Sequence, residues 1–307
     1  MHSRLVSTWW RPVDVTYWAD YANESRGHRR PKIWVKDPSG EIWLRKEPPP
    51  PDPSRPTTAR RSEPAVEVFA LELSKRAGID AAEARPATWL GQRGVVSRRF
   101  HDADEQHHPG AELLGLPEES ASTPESRQRR DAAYAAATLD RVRDQLRELE
   151  DKHGVSLIAP FARVLAFDAW LGNGDRHSGN WAIVSSPRGW RLAPMYDPAA
   201  CLGVELTDER RELTGTTDEV VRRYAERCGS GFGGGADGRP GISMVELTQK
   251  LAKWPEWDAT ISELLPIFVD LTQKAEMLLT EIPDSWLSAE RKRFAARLLA
   301  HRVTLLR

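Results

Sequence analysis

Four hydrogen-bonding side chains lie close together in the segment LGNGDRHSGNWAIV, residues 171–184: Asp175, Arg176, His177 and Asn180. Glycines interrupt the segment around them, which predicts a loop rather than a helix or a strand. A loop of this composition has three explanations: turn-forming polar side chains, a metal-binding loop, or the catalytic loop of an enzyme.

A further acidic residue, Asp197, is predicted to return to this loop. Residues 181–184 are apolar and predict a short strand, residues 185–189 predict a turn, and residues 190–193 predict a second strand. A hairpin of this kind carries the chain back on itself. We therefore expect Asp197 to lie near Asn180, although 17 positions separate them.

These residue types suit phosphoryl transfer with Mg²⁺. The amide oxygen of Asn180 and the carboxylate of Asp197 are hard oxygen ligands, and Mg²⁺ commonly uses one or two protein ligands besides substrate phosphates. Asp175 is a remaining carboxylate that can accept or orient the proton of an attacking hydroxyl group. Each residue alone would indicate a polar turn, but the combination favours catalysis.

The elements that must position this loop begin with a hairpin and a helix. Residues 32–46 form two strand patterns around an Asp-Pro-Ser-Gly turn, and Lys46 ends the second strand, where its ammonium can reach ATP phosphates. Ser62 is a suitable N-cap for the next helix, in which Glu67 can pair with Lys46. The alternative explanation is a solvated strand-end lysine and a surface glutamate.

The composition indicates a globular cytoplasmic protein. The chain has 307 residues, of which 40% are hydrophobic and 29% charged, and its formal net charge is −1. Without a basic field, nucleic acid is unlikely as a direct ligand, and no apolar stretch approaches the roughly 18 residues of a membrane span. Cys201 and Cys228 lack zinc-ligand spacing and are expected to be thiols of a reducing compartment, and His177 has no partner at ligand spacing.

The order of the patterns predicts an α+β protein with two lobes. We expect a small β-rich N-lobe over residues 1–101, a polar linker or insertion over 102–126, and a larger, mostly helical C-lobe over 127–307. A glycine-rich stretch at 228–238 predicts a flexible loop. The 12 tryptophans are scattered, and we expect most of them in core and interlobe packing.

The pattern Asp-Arg-His-x-x-Asn, followed by a hairpin and Tyr-Asp, resembles the HipA-like serine/threonine kinases. Their fold is remotely protein-kinase-like and is shared with phosphatidylinositol 3- and 4-kinases. The resemblance covers about residues 25–200, with only about 20 residues before the nucleotide loop, so a member with a reduced N-terminal region is expected. Tyr196 and Asp197 stand where many kinases have Asp-Phe-Gly, a difference that favours HipA.

This resemblance implies a role for each matching residue. Asp175 would be the catalytic aspartate, and Asn180 and Asp197 would bind Mg²⁺. ATP would be bound by the following residues: Lys46 and its partner Glu67, Gly27 in the nucleotide loop, Val96 along the adenine-side hinge, and His177 either packed within its own loop or in contact with the γ-phosphate. Ser25 is the serine that fits the autophosphorylation site of some relatives.

The favoured function is therefore an ATP- and Mg²⁺-dependent kinase acting on a Ser or Thr hydroxyl of a protein, which could be itself. Two alternatives remain open. The same site could phosphorylate a small molecule or a phosphoinositide-type headgroup, or the chain could be a pseudokinase that binds nucleotide or a partner. The expected partners are ATP and a protein substrate that nothing in the sequence specifies.

Overall fold

Six strands between residues 13 and 98 pair to form one curled sheet. The structure is a computed structural model, and it describes residues 9–22, 32–47, 62–116, 132, 135–206, 217–234 and 241–306. The strands of this sheet are β1 (Val13–Asp14), β2 (Ala19–Ala22), β3 (Lys32–Lys36), β4 (Ile42–Lys46), β5 (Ala84–Trp89) and β6 (Gln92–Arg98). Their spatial order is β1-β5-β6-β4-β3-β2, and only β1 and β5 pair in parallel. The predicted hairpin over residues 32–46 is confirmed.

Helix α1 (Glu63–Arg76) packs against this sheet and is buried on nearly all sides. Eleven of its 14 residues are buried, because apolar side chains occur around the helix and not along one stripe. Ser62 is the N-cap residue, as predicted, but its side chain makes no capping hydrogen bond. The helix therefore owes its stability to packing more than to a cap.

The second half of the chain is mainly helical. Its helices, with a short one that precedes them, are α2 (Gly110–Leu113), α3 (Leu139–His153), α4 (Ile158–Leu171), α5 (Asp218–Arg227), α6 (Met244–Leu251), α7 (Trp257–Thr280) and α8 (Ala289–Thr304). Helix α4 lies at the centre, and Trp170 stacks on Phe268 of α7 with ring centroids 4.6 Å apart. Burying each such ring contributes about 1.5–3 kcal/mol. None of the described helices is long and apolar enough to cross a membrane.

A three-stranded sheet corrects the predicted linker. Strand β7 (Gln106–Pro109) pairs with β8 (Ala182–Ser186), which pairs with β9 (Gly189–Leu192). The prediction of a linker or insertion over 102–126 is therefore wrong for β7 and α2. Its polar residues and Pro109 suggested a loop, but β7 is an edge strand, where proline and polar side chains are tolerated.

The glycine-rich stretch is also partly a strand. Residues 229–233 form β10 (Gly229–Gly233), which pairs with β11 (Gly241–Ser243), so a flexible loop is wrong for these residues. Glycine is required at position 231, because a Cβ there would lie 2.2 Å from the backbone carbonyl carbon of Arg176. Strand β10 thus packs directly on the loop that contains Asp175. The predicted α+β class is confirmed.

Candidate active site

The loop after α4 is held in place by the end of that helix. Gly172 ends α4 in the left-handed conformation, with φ of 69°, which favours glycine. Asn173 is buried and donates its amide to Asp168 Oδ1 at 2.8 Å, and its own Oδ1 accepts the backbone N–H of Asp175 at 3.3 Å. Asn173 therefore links the Asp175 backbone to α4 through these two hydrogen bonds.

Arg176 is the centre of this loop, and the sequence assigned it no role. Its guanidinium forms a two-point ion pair with Asp168, with N–O distances of 2.7 and 3.0 Å, and both side chains are only 1% exposed. Burial alone would lower the pKa of Arg176, but the charge and hydrogen bonds of Asp168 raise it above the ordinary value. Arg176 Nη1 also donates to the backbone oxygens of Asn180 and Tyr196. It therefore joins the loop to the residue before Asp197.

The side chains of Asp175, His177 and Asn180 in this loop differ in solvent exposure. The Asp175 side chain is 48% exposed, and His177 Nε2 lies 3.8 Å from its Oδ1. His177 Nδ1 accepts the backbone N–H of Gly179 at 3.0 Å, so this ring packs within its own loop. Asn180 is buried and donates its amide to the Asp175 backbone oxygen at 2.7 Å.

Lys46, Glu67 and Asp197 meet directly. Lys46 Nζ lies 2.6 Å from Glu67 Oε1 and 3.1 Å from Asp197 Oδ1, so the predicted Lys46–Glu67 contact is confirmed. The Lys46 and Glu67 side chains are 3% and 0% exposed. Burial alone would lower the pKa of Lys46, but the charges of Asp197 and Glu67 raise it above its ordinary value. The ammonium is therefore charged at neutral pH.

A second lysine, which sequence analysis missed, completes this group. Lys32 Nζ lies 2.9 Å from Asp197 Oδ2, and Lys32 is the cross-strand partner of Lys46 in the β3–β4 hairpin. Opposed residues of an antiparallel pair project from the same face. The predicted hairpin begins at Lys32. Pairing its two strands end to end places Lys32 opposite Lys46, which is the signal that could have identified it.

Asp197 is held in an unusual backbone conformation. Its φ is +53°, a left-handed value that is rare for a residue other than glycine. Tyr196 fixes the chain before it, because its hydroxyl donates to the Gly179 backbone oxygen at 3.0 Å and its ring stacks on Phe100 at 5.3 Å. Strained backbone of this kind concentrates at functional sites.

Val96 does not lie beside Lys46, Glu67 and Asp197, and its assignment to the adenine-side hinge stays a prediction. Val96 is fully buried in a separate cluster with Val35 and Trp43, on the face of the sheet opposite Lys46. Its neighbour Val95 is the cross-strand partner of Lys46 and shares its face. Ser25 and Gly27 lie outside the described residues.

Asn180 and Asp197 fit a magnesium ion by their chemistry. One amide oxygen and one carboxylate form a hard, oxygen-only pair, which suits Mg²⁺ that takes its other ligands from phosphates and water. Asp197 already contacts two ammonium groups, so this position attracts positive charge. Among the described residues, no three His, Cys, Asp or Glu side chains gather as a metal-binding group.

Lys46 of the sheet pairs with Glu67 on the adjoining helix α1, and the sheet is joined to a helical part that contains the Asp175 loop. This arrangement defines a protein-kinase-like fold. The sequence profile of the HipA-like C-terminal domain matches residues 25–248, more than half of the chain. The chain therefore belongs to the HipA-like family, and the resemblance noted from its motifs is confirmed. No protein with curated annotation matches the sequence significantly.

Solved structures show the same fold at low sequence identity. The Helicobacter pylori proinflammatory kinase CtkA is 17% identical with a TM-score of 0.75, and the match covers 96% of each chain. A chain in the Shewanella oneidensis MR-1 complex of HipA, HipB and operator DNA is 13% identical with a TM-score of 0.52. That match covers 92% of this chain and 65% of the other. The kinase-like fold is confirmed, and family and fold together support a kinase-like function.

Proposed function

We propose that the protein is an ATP- and Mg²⁺-dependent kinase that phosphorylates a Ser or Thr hydroxyl of a protein, which could be its own. The observation that carries this proposal is the buried contact of Lys46 with both Glu67 and Asp197. A buried ammonium and its two carboxylate partners lose hydration free energy, so the group is weak evidence of a purely stabilising role. Binding of nucleotide phosphates is a function that this cation can serve.

Each residue then has a separate part in the transfer. Lys46 and Lys32 would bind phosphate oxygens, and Glu67 would hold Lys46 in place. Asn180 and Asp197 would hold Mg²⁺, which when bound neutralises charge on the phosphates. The nucleotide would lie between the proposed lobes, residues 1–101 and 127–307.

Asp175 would act on the acceptor. The acceptor oxygen forms a bond to the γ-phosphorus while the bond from that phosphorus to the leaving ADP oxygen breaks. The hydroxyl proton passes to the Asp175 carboxylate, whose 48% exposure lets an acceptor reach it. Asn173 transfers no proton and only positions the loop, through its hydrogen bonds to Asp168 and to the Asp175 backbone. Most of the rate would then come from positioning and charge stabilisation.

The test is transfer of label from γ-labelled ATP with Mg²⁺, using the purified protein alone and with a cell lysate. Asp175→Ala is compared with Asp270→Ala, a matched control because the Asp270 side chain on α7 is 52% exposed. We expect label in protein bands with wild type and Asp270→Ala, and none with Asp175→Ala.

Other outcomes would change the proposal. Label in a small-molecule or lipid fraction would assign the acceptor to that class instead. Binding of Mg-ADP without any transfer would favour a nucleotide-binding module that has no kinase activity. Equal labelling by wild type and Asp175→Ala would remove Asp175 from the mechanism.

A further inference from the structure

The position of Glu67 depends on what holds helix α1 from behind. Glu67 contacts Lys46 on one side of the helix, and Phe69 is fully buried two residues later. Residues two apart in an α-helix lie about 200° apart around its axis, so these two side chains project in nearly opposite directions. Whatever packs on Phe69 therefore opposes movement of Glu67 away from Lys46.

One side chain that packs on Phe69 is Trp9, at the start of the described chain. The ring of Trp9 lies 6.2 Å from that of Phe69, and its indole N–H donates to Glu281, just after α7. Trp10 packs edge-on against Trp9 at 5.5 Å and against Trp286 at 5.4 Å. Four aromatic rings thus run from α1 to the connection between α7 and α8.

Trp10, in the middle of this row, and Trp286, at its end, are anchored differently. Trp10 is 4% exposed and belongs to the main hydrophobic core, and β1 begins three residues later and pairs with β5. Trp286 lies in a turn in which its backbone N–H donates to the Pro283 backbone oxygen at 2.8 Å. The segment is therefore fixed between the sheet and the helical part of the molecule.

We propose that the Trp9–Trp10 segment is a positioning element that keeps Glu67 on Lys46 by supporting α1 from the opposite face. The inference deepens the proposed function and rests on it, because Lys46 matters only if it binds phosphate. Trp9 and Trp10 touch no reacting group and act through α1. Movement of α1 away from Lys46 would require the Trp9 ring, and the rings of Trp10 and Trp286 that pack behind it, to be displaced.

Trp10 acts by the packing of its ring, which suggests a conservative variant. Trp10 Nε1 is buried and has no hydrogen-bond partner among the described residues. Replacement by phenylalanine removes this unpaired donor and keeps most of the apolar ring. Trp10→Phe should therefore keep Trp9 packed on Phe69 of α1, whereas Trp10→Ala leaves a cavity beside Trp9.

A double-mutant cycle with Glu67→Gln tests the coupling. The measured quantities are the Kd for Mg-ADP and the rate of label transfer, for Trp10→Ala in the presence and absence of Glu67→Gln. We expect Trp10→Ala to weaken binding and transfer about tenfold in the wild-type background, and to have little further effect with Gln at position 67. Trp10→Phe should restore wild-type values.

The matched control is Trp254→Ala, since Trp254 is also 4% exposed in the same core. Its effect should be unchanged by Glu67→Gln, because a general loss of stability is additive with a distant site. An equal effect of Trp10→Ala in both backgrounds would overturn the proposal. Should Trp10→Ala fail to fold, the cycle is run with Trp9→Ala, whose ring is only partly buried.

A third measurement separates this inference from the proposed function. Hydrogen exchange of α1 amides should accelerate in Trp10→Ala and not in Trp254→Ala, whether or not any phosphate is transferred. Wild-type protein that neither binds Mg-ADP nor transfers label would refute the proposed function. Unchanged hydrogen exchange of the α1 amides in Trp10→Ala would refute the proposed support of α1 and leave the proposed function intact.

Discussion

Asp168 and Arg176 form a buried ion pair beneath the loop that contains Asp175. Two nitrogens of the guanidinium meet two oxygens of the carboxylate, at 2.7 and 3.0 Å, and neither side chain is more than 1% exposed. The same guanidinium donates to the backbone oxygen of Tyr196. This pair connects α4, the loop and the residue before Asp197.

Arg176→Met should destabilise the protein, because it leaves Asp168 buried without its counter-charge. Removing one partner of a buried pair costs about 3–5 kcal/mol in the free energy of unfolding, measured by urea denaturation. The double replacement Asp168→Leu with Arg176→Met should recover much of this stability. Transfer activity should stay low in the double variant, since the contacts to Asn180 and Tyr196 are absent. Recovery of activity together with stability would contradict the positioning role of Arg176.

Lys46→Met and Lys32→Met should differ in their effect on stability. Lys46→Met leaves Glu67 buried at 0% exposure, and the expected loss is about 3–5 kcal/mol. Lys32 is 31% exposed, and loss of its pair with Asp197 should cost about 1 kcal/mol or less. Urea denaturation of the two variants measures the difference. Equal losses would show that Lys46 is less enclosed than its contacts indicate.

Gly231→Ala should abolish transfer, whereas Gly229→Ala in the same strand should not. A Cβ at position 231 would lie 2.2 Å from the Arg176 carbonyl carbon, while one at 229 meets no atom within 4 Å. The first substitution must displace the backbone next to Asp175. Label transfer and thermal melting of both variants provide the measurement. An active Gly231→Ala enzyme would mean that β10 can shift without moving the loop.

Stability should fall between about pH 6.5 and pH 4. Burial, and to a lesser extent the neighbouring His101 and His108, lower the pKa of His107 from 6.5 to about 4. In this window the unfolded chain binds a proton that the folded protein does not, so the free energy of unfolding decreases as the pH falls. His107→Phe should reduce this slope in denaturation measurements at several pH values. An unchanged slope would assign the acid sensitivity to other groups.

Local sequence patterns were sufficient for many of the elements and for part of the site, but not for β7, α2 and β10. The hairpin that returns Asp197 and the contact of Lys46 with Glu67 follow from strand periodicity and a helix start, which are encoded over a few residues. The face of the sheet on which Val96 lies could not be read from the sequence, because alternation in a strand does not state which face meets the cleft. The roles of Arg176 and Gly231 depend on contacts with distant segments, which no local pattern reveals.

Lys32 and Lys46 lie opposite each other on adjacent strands, where like charges repel. Asp197 touches both ammonium groups, and Glu67 touches one of them, so the four side chains form an electroneutral group. The protein thus contains its own counter-ion where phosphates are proposed to bind. A nucleotide would exchange with that counter-ion instead of meeting bare positive charge, so added salt should weaken its binding less than two exposed lysines would suggest.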